Sequence, residues 1–96
     1  MIHSFADETT ADIFQERNSK HAREIPKALW RVVQRKLKML DVAVRIGDLE
    51  APPGNRLKPL KGQLRGRYSI RVNEQYRVTF RWENGHAFEV AVEDYH

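Results

Sequence analysis

The 96 residues include no cysteine. That excludes a disulfide framework and thiolate metal sites, and it fits a reducing compartment. Long apolar runs are missing too, and none approaches the ~20 residues that a membrane helix needs. The opening MIHSFADETTADIF has no basic segment followed by an apolar run, so it does not read as a secretion signal. Repeats and low-complexity tracts are likewise absent. A cytoplasmic location, with no membrane contact, is the expectation.

One more thing is scarce, and only locally. Between residues 56 and 81 the chain has eight Lys and Arg but a single acid, Glu74. Residues 1–55 are nearly balanced, with nine basic and eight acidic side chains, and residues 82–96 hold four acids and no Lys or Arg. The net charge of +4 therefore hides a strongly basic middle and an acidic end. A basic patch of this kind attracts phosphates through counterion release. A solvated basic face is the commoner cause of a charge run. Here the cations alternate with strand-forming side chains, which weakens that plainer reading.

Hydrophobic content of 41% and charged content of 31% suit a globular protein, and the length suits one domain over residues 1–96. Met1–Phe5 reads as a short first strand. Ala6–Asn18 reads as helix, with Thr9 and Thr10 near its start. Pro26–Val44 gives the strongest helical pattern, with Leu29, Val33, Leu37, Leu40 and Val44 in one apolar stripe. Lys27, Arg31, Arg35 and Lys38 form a basic stripe beside it, read as a solvated face. Residues 47–55 read as turn and loop. Leu57–Leu60 reads as a short strand, and Pro59 places it at an edge. From Tyr68 the period changes to two. Tyr68, Ile70 and Val72 share one face; Tyr76, Val78, Phe80 and Trp82 share the next, with Arg77, Thr79 and Arg81 opposite. Asn84-Gly85 is a strong two-residue hairpin signal. Phe88, Val90 and Val92 are expected on the apolar face of the last strand. The whole predicts an α+β fold: two N-terminal helices packed on one face of an antiparallel sheet of about four to five strands.

Certain segments carry a resemblance. They are Met1-Ile2-His3-Ser4-Phe5, Leu57-Lys58-Pro59-Leu60-Lys61-Gly62, Tyr68-Ser69-Ile70-Arg71-Val72, Tyr76-Arg77-Val78-Thr79-Phe80 and Glu93-Asp94-Tyr95-His96. Together they resemble the HigB branch of the RelE/ParE toxin superfamily. The resemblance implies a microbial-ribonuclease-like fold and cleavage of messenger RNA on the translating ribosome. It also implies a helix-turn-helix antitoxin of HigA type as partner, with DNA contacted only through that antitoxin.

Cleaving RNA through its own 2′-OH sets three tasks. One group takes the 2′-OH proton, another protonates the leaving 5′ oxygen, and fixed cations stabilise the charge on phosphorus. Arg77 is the first candidate for the phosphate, since a guanidinium grips two oxygens in one plane. The plain alternative is a surface arginine paired with Glu89 or Glu93. Lys61, followed by Gly62, matches the lysine that the family places at its active site and would stabilise the transition state. Lys58 stands where some members have His; a lysine binds phosphate but is a poor proton shuttle. Asp94, Tyr95 and His96 could exchange protons and stack on a base, with acid and base roles left open. Arg56, Lys58, Arg65, Arg67, Arg71 and Arg81 are candidate RNA contacts. No cofactor is expected, and His3, His21 and His86 lack paired spacing for a metal. Two other readings stand beside this one: a ParE-like non-enzymatic toxin that binds gyrase, and a non-catalytic RNA- or ribosome-binding module.

Overall fold

The computed structural model describes residues 1–62 and 66–95. Two helices precede the sheet: α1, Glu8–Phe14, and α2, Trp30–Val42. Four strands follow: β1, Lys58–Pro59; β2, Arg67–Arg71; β3, Tyr76–Glu83; and β4, His86–Asp94. They form an antiparallel meander in chain order. The α+β layout expected from the sequence is the one observed.

Helix α1 starts one residue after Asp7, whose carboxylate accepts the amide of Thr10 at 2.8 Å. A side-chain acceptor at this place satisfies one of the free donors of the first turn. Thr10, within the first turn, makes a tertiary contact. Its buried hydroxyl accepts the Val92 amide at 2.9 Å and ties α1 to β4. Helix α2 enters through a 3₁₀ turn, Lys27–Leu29, that begins after Pro26. Its stripe of Val33, Leu37 and Leu40 is fully buried against Ile70, Val78 and Phe80 of the sheet. Shortening one of these leucines to alanine costs about 2–5 kcal/mol.

Val44 does not belong to that stripe. The helix ends at Val42 and Ala43 turns extended, so Ala43 is buried and Val44 points to solvent. A second residue does join the buried face: Lys36 is 8% exposed, lying between Val33 and Leu40 on the same side.

Met1–Phe5 runs parallel to β4, with bridges Ile2 to Ala87 and Phe5 to Val90. Its backbone bonds include His3 N–H to the Ala87 carbonyl at 2.8 Å and Val90 N–H to the Ser4 carbonyl at 3.1 Å. At the far end of β3 and β4, Asn84 and Gly85 both take positive φ (52° and 80°), as a tight hairpin requires.

Strand β4 departs from simple alternation. Thr79 faces Ala91, but Arg81 faces Phe88, so β4 contains one extra residue. That residue is Glu89, at φ 53°. A bulge shifts the side-chain period by one. Beyond it Ala87, not Phe88, enters the core, and Phe88 lies on the outer face under Arg81, 4.5 Å from ring centroid to guanidinium. Thr79, expected outward, is buried and donates its hydroxyl proton to the Glu93 carboxylate.

Candidate active site

The outer face of the sheet carries two pairs of directly opposed arginines across β2 and β3: Arg71 with Arg77, and Arg67 with Arg81. Like charges so placed destabilise a sheet unless something offsets them. At Arg67 and Arg81 the offset is present. Glu89 binds Arg67 Nη2 and Arg81 Nε, each at 3.1 Å, and Glu83 binds Arg81 Nη1. The bulge aims Glu89 at both. Its carboxyl is held below the usual range first by the Arg81 hydrogen bond and then by the Arg67 charge.

At Arg71 and Arg77 no carboxylate lies within salt-bridge distance among the described residues. The pairing with Glu89 or Glu93 that would make Arg77 an ordinary surface residue is not formed. Arg77 instead binds neutral oxygens. Its Nε donates to the Ser69 hydroxyl at 2.8 Å, and Nη2 donates to the Arg56 carbonyl at 2.7 Å. Burial is the first cause pushing its pKa down; Tyr95 opposes that, while the Arg71 and Arg56 charges add to it. The guanidinium stays charged, and its surroundings favour an incoming anion.

An open pocket of about 290 Å³ lies over this pair. Its walls are Arg56, Lys58, Arg71, Asn73, Glu74, Arg77 and Tyr95. A neighbouring pocket of about 320 Å³ is lined by Lys58, Pro59, Leu60, Lys61 and Tyr95. The two share Lys58 and Tyr95. Tyr95 is 42% exposed, and its amide donates to the Gln75 carbonyl at 2.6 Å, which anchors it beyond the end of β4. Four cations and one phenol, against the single acid Glu74, surround an open concavity that can hold a phosphate and an adjoining ring.

The candidates named from the sequence thus divide. Arg77, Tyr95, Arg56, Lys58 and Arg71 meet at the first pocket. Lys61 lines the second, ahead of Gly62 at φ 72°. Asp94 lines neither; it pairs with Tyr76 and accepts Gln75 Nε2 at 3.0 Å. Arg67 and Arg81 sit in the Glu89 cluster. Arg65 and His96 lie outside the described residues. His86 begins β4 beside the hairpin, at the other end of β3 from Arg77. Ser69 was not singled out by sequence reasoning. Its alternation with Arg71 was visible, but a buried serine bonded to an arginine from the next strand has no local signature.

Comparison with known proteins decides the family. Residues 3–96 match the HigB-like toxins, described as the RelE-like toxin of the type II toxin-antitoxin system HigB. The chain belongs to this family. Over 72 residues it is 47% identical to Toxin HigB-1 of Vibrio cholerae, covering 75% of each chain. It is 41% identical over 61 residues to Endoribonuclease HigB of Proteus vulgaris, covering 64% of this chain and 65% of that one. The fold resembles that of the YoeB-YefM complex from Staphylococcus aureus, with a TM-score of 0.62 at 18% identity, covering 100% of this chain and 98% of the other. This HigB-like toxin has no helix among its described residues long and apolar enough to cross a membrane.

Proposed function

We propose that this HigB-like toxin is an endoribonuclease that cuts messenger RNA on the translating ribosome and is held inactive by a helix-turn-helix antitoxin of HigA type in the cytoplasm. The observation that carries the reading is the Arg71–Arg77 pair: two opposed guanidinia with no carboxylate partner among the described residues, at the floor of a pocket walled by Arg56, Lys58 and Tyr95. An arrangement that weakens the sheet is expected where function requires it. The name of the Proteus vulgaris relative supports the same activity.

In this reading Arg77 grips two non-bridging oxygens of the scissile phosphate, and Arg71 and Arg56 add positive field. The charge that gathers on the oxygens in the transition state then meets donors already in place. Lys61 reaches in from the adjoining pocket and steadies the same charge. Tyr95, on the wall between the pockets, stacks on a base and orients the ribose. Asp94 and His96 share the two proton transfers. The 2′ oxygen attacks phosphorus as its proton leaves, the bond to the 5′ oxygen breaks, and that oxygen gains a proton. The products are a 2′,3′-cyclic or 3′ phosphate and a 5′ hydroxyl. Nothing in this sequence of steps calls on a cofactor.

The test is to map 5′ ends on a message translated with and without the protein. New 5′-hydroxyl ends in translated regions are expected. Inhibited gyrase with an intact message would replace this reading with the ParE-like one. Blocked translation without cuts would replace it with simple occupancy.

A further inference from the structure

Arg77 is oriented before any ligand arrives, and two protein acceptors do it: the Ser69 hydroxyl and the Arg56 carbonyl. Ser69 is a fully buried strand residue, and its place follows from the sheet. The Arg56 carbonyl is different. It lies in a connecting segment, and it points at Arg77 because Arg56 sits in the left-handed region, φ 46° and ψ 55°. A non-glycine residue there costs about 1 kcal/mol or more and persists only when its neighbours enforce it.

The residue before it in the chain is Asn55. This side chain is fully buried, and its polar atoms are all used. Its Nδ2 donates to the carbonyls of Leu49 at 3.1 Å and Ala51 at 3.2 Å. Its Oδ1 accepts from the Lys36 ammonium on α2. Its backbone amide donates to the Pro52 carbonyl at 2.9 Å, closing the turn that hands over to Arg56. Lys36 is an unexpected residue for this helix face. Burial pushes its pKa down, with Arg35 adding to the effect. Methionine would fill the place without a buried charge. What the lysine supplies is a donor for Asn55.

We propose that Asn55, secured by Lys36, is a positioning residue: it fixes the left-handed Arg56 so that the Arg56 carbonyl sets the angle of the Arg77 guanidinium. The inference rests on the proposed activity for its catalytic meaning, but the geometry it asserts is testable without it. Two of the guanidinium nitrogens are committed to Ser69 and Arg56, and Arg77 also lines the pocket. Loss of the carbonyl contact leaves Arg77 charged and present but held by Ser69 alone, so its outer nitrogens can turn about that bond. A misplacement of about 1 Å can cost roughly a hundredfold in rate.

The experiment combines a double-mutant cycle with a direct view of the guanidinium. Asn55→Ala is expected to lower single-turnover cleavage on programmed ribosomes roughly ten- to a hundredfold, with ribosome affinity unchanged within about twofold. In an Arg77→Ala background it is expected to cause no further loss, because the two act as one unit. Additive losses would overturn the proposal, since a mere loop anchor multiplies with Arg77. Lys36→Met serves if Asn55→Ala does not fold, with a smaller loss and the same non-additivity. Independently, the Arg77 Nη2–H resonances of the free protein, which report the Arg56 carbonyl contact, should be protected from solvent exchange in the wild type and exposed in either variant. Equal protection in wild type and variant overturns the inference even if cleavage falls. A wild type that cuts no message overturns the activity, and the resonances then decide the positioning alone.

Discussion

Two arginine pairs face each other across the same two strands, and their surroundings make them opposites. Arg67 and Arg81 share Glu89, and Arg81 also has Glu83 and the Phe88 ring. Arg71 and Arg77 have neutral oxygens and an open pocket. The first pair is a settled piece of surface. The second keeps its repulsion, and an anion is what would relieve it. The difference teaches that a count of positive charges does not locate a phosphate site. In the proposed reading the site is where, among the described residues, β2, β3 and β4 bring no carboxylate to the arginines, with Glu74 the one acid on the pocket wall.

The contrast can be broken most sharply at Arg77. Arg77→Ala is expected to lower cleavage about 100- to 1,000-fold, the range for removing a donor to a developing oxyanion. Ribosome affinity should change far less, and thermal unfolding should show no loss of stability. Parallel losses of affinity and cleavage would mean the pocket only docks RNA. Next in size is Tyr95→Ala. Stacking of ~1–3 kcal/mol per base makes a loss of roughly tenfold or more the expectation in single-turnover assays. Arg81→Ala, on the settled side, should leave cleavage within about threefold of wild type, as for other exposed ion pairs. A loss matching that of Arg77→Ala would erase the distinction between the pairs.

Glu89→Gln sharpens the comparison from the other direction. It releases two guanidinia, so non-specific RNA binding should strengthen and its salt dependence steepen by roughly one to two counterions, read from filter binding across a salt series. The same carboxylate gives the smallest effect, a pH dependence of stability. Its folded pKa is depressed by Arg81 and Arg67. Its contribution is therefore present above the unfolded carboxylate value and lost as pH falls through the folded one. The melting temperatures of wild type and Glu89→Gln should differ at neutral pH and converge in acid. A constant gap at all pH values would assign the difference to the bulge rather than to charge.

Much of this fold was legible in the sequence, for local reasons. Alternating side chains marked β2 and β3, Asn84-Gly85 marked the hairpin, and Pro59 marked an edge strand. The failures also have causes. Simple alternation through Glu89 places Phe88 on the apolar face, and a glutamate at positive φ gives no warning of a bulge. Val44 has the spacing of the stripe, but the helix ends two residues earlier. Lys36 could have been found: it stands three residues after Val33 and four before Leu40, on the buried side. Of the residues named from the sequence, Arg56, Lys58, Arg71 and Tyr95 line one pocket with Arg77. What linear reading could not supply was the sorting of eight cations in residues 56–81 by their distance from acids in 82–96, because that depends on register across three strands.

The borders of the sheet carry a consequence of their own. On one side β1 has two residues, and its proline has no amide proton to offer. On the other, Met1–Phe5 occupies the rim of β4, and the Thr10 hydroxyl takes the Val92 amide. Neither β1 nor β4 is therefore a long bare edge among the described residues. A partner arriving there meets a two-residue strand on one flank and Met1–Phe5 on the other, so side-chain shape and charge carry more of its recognition than added backbone pairing does.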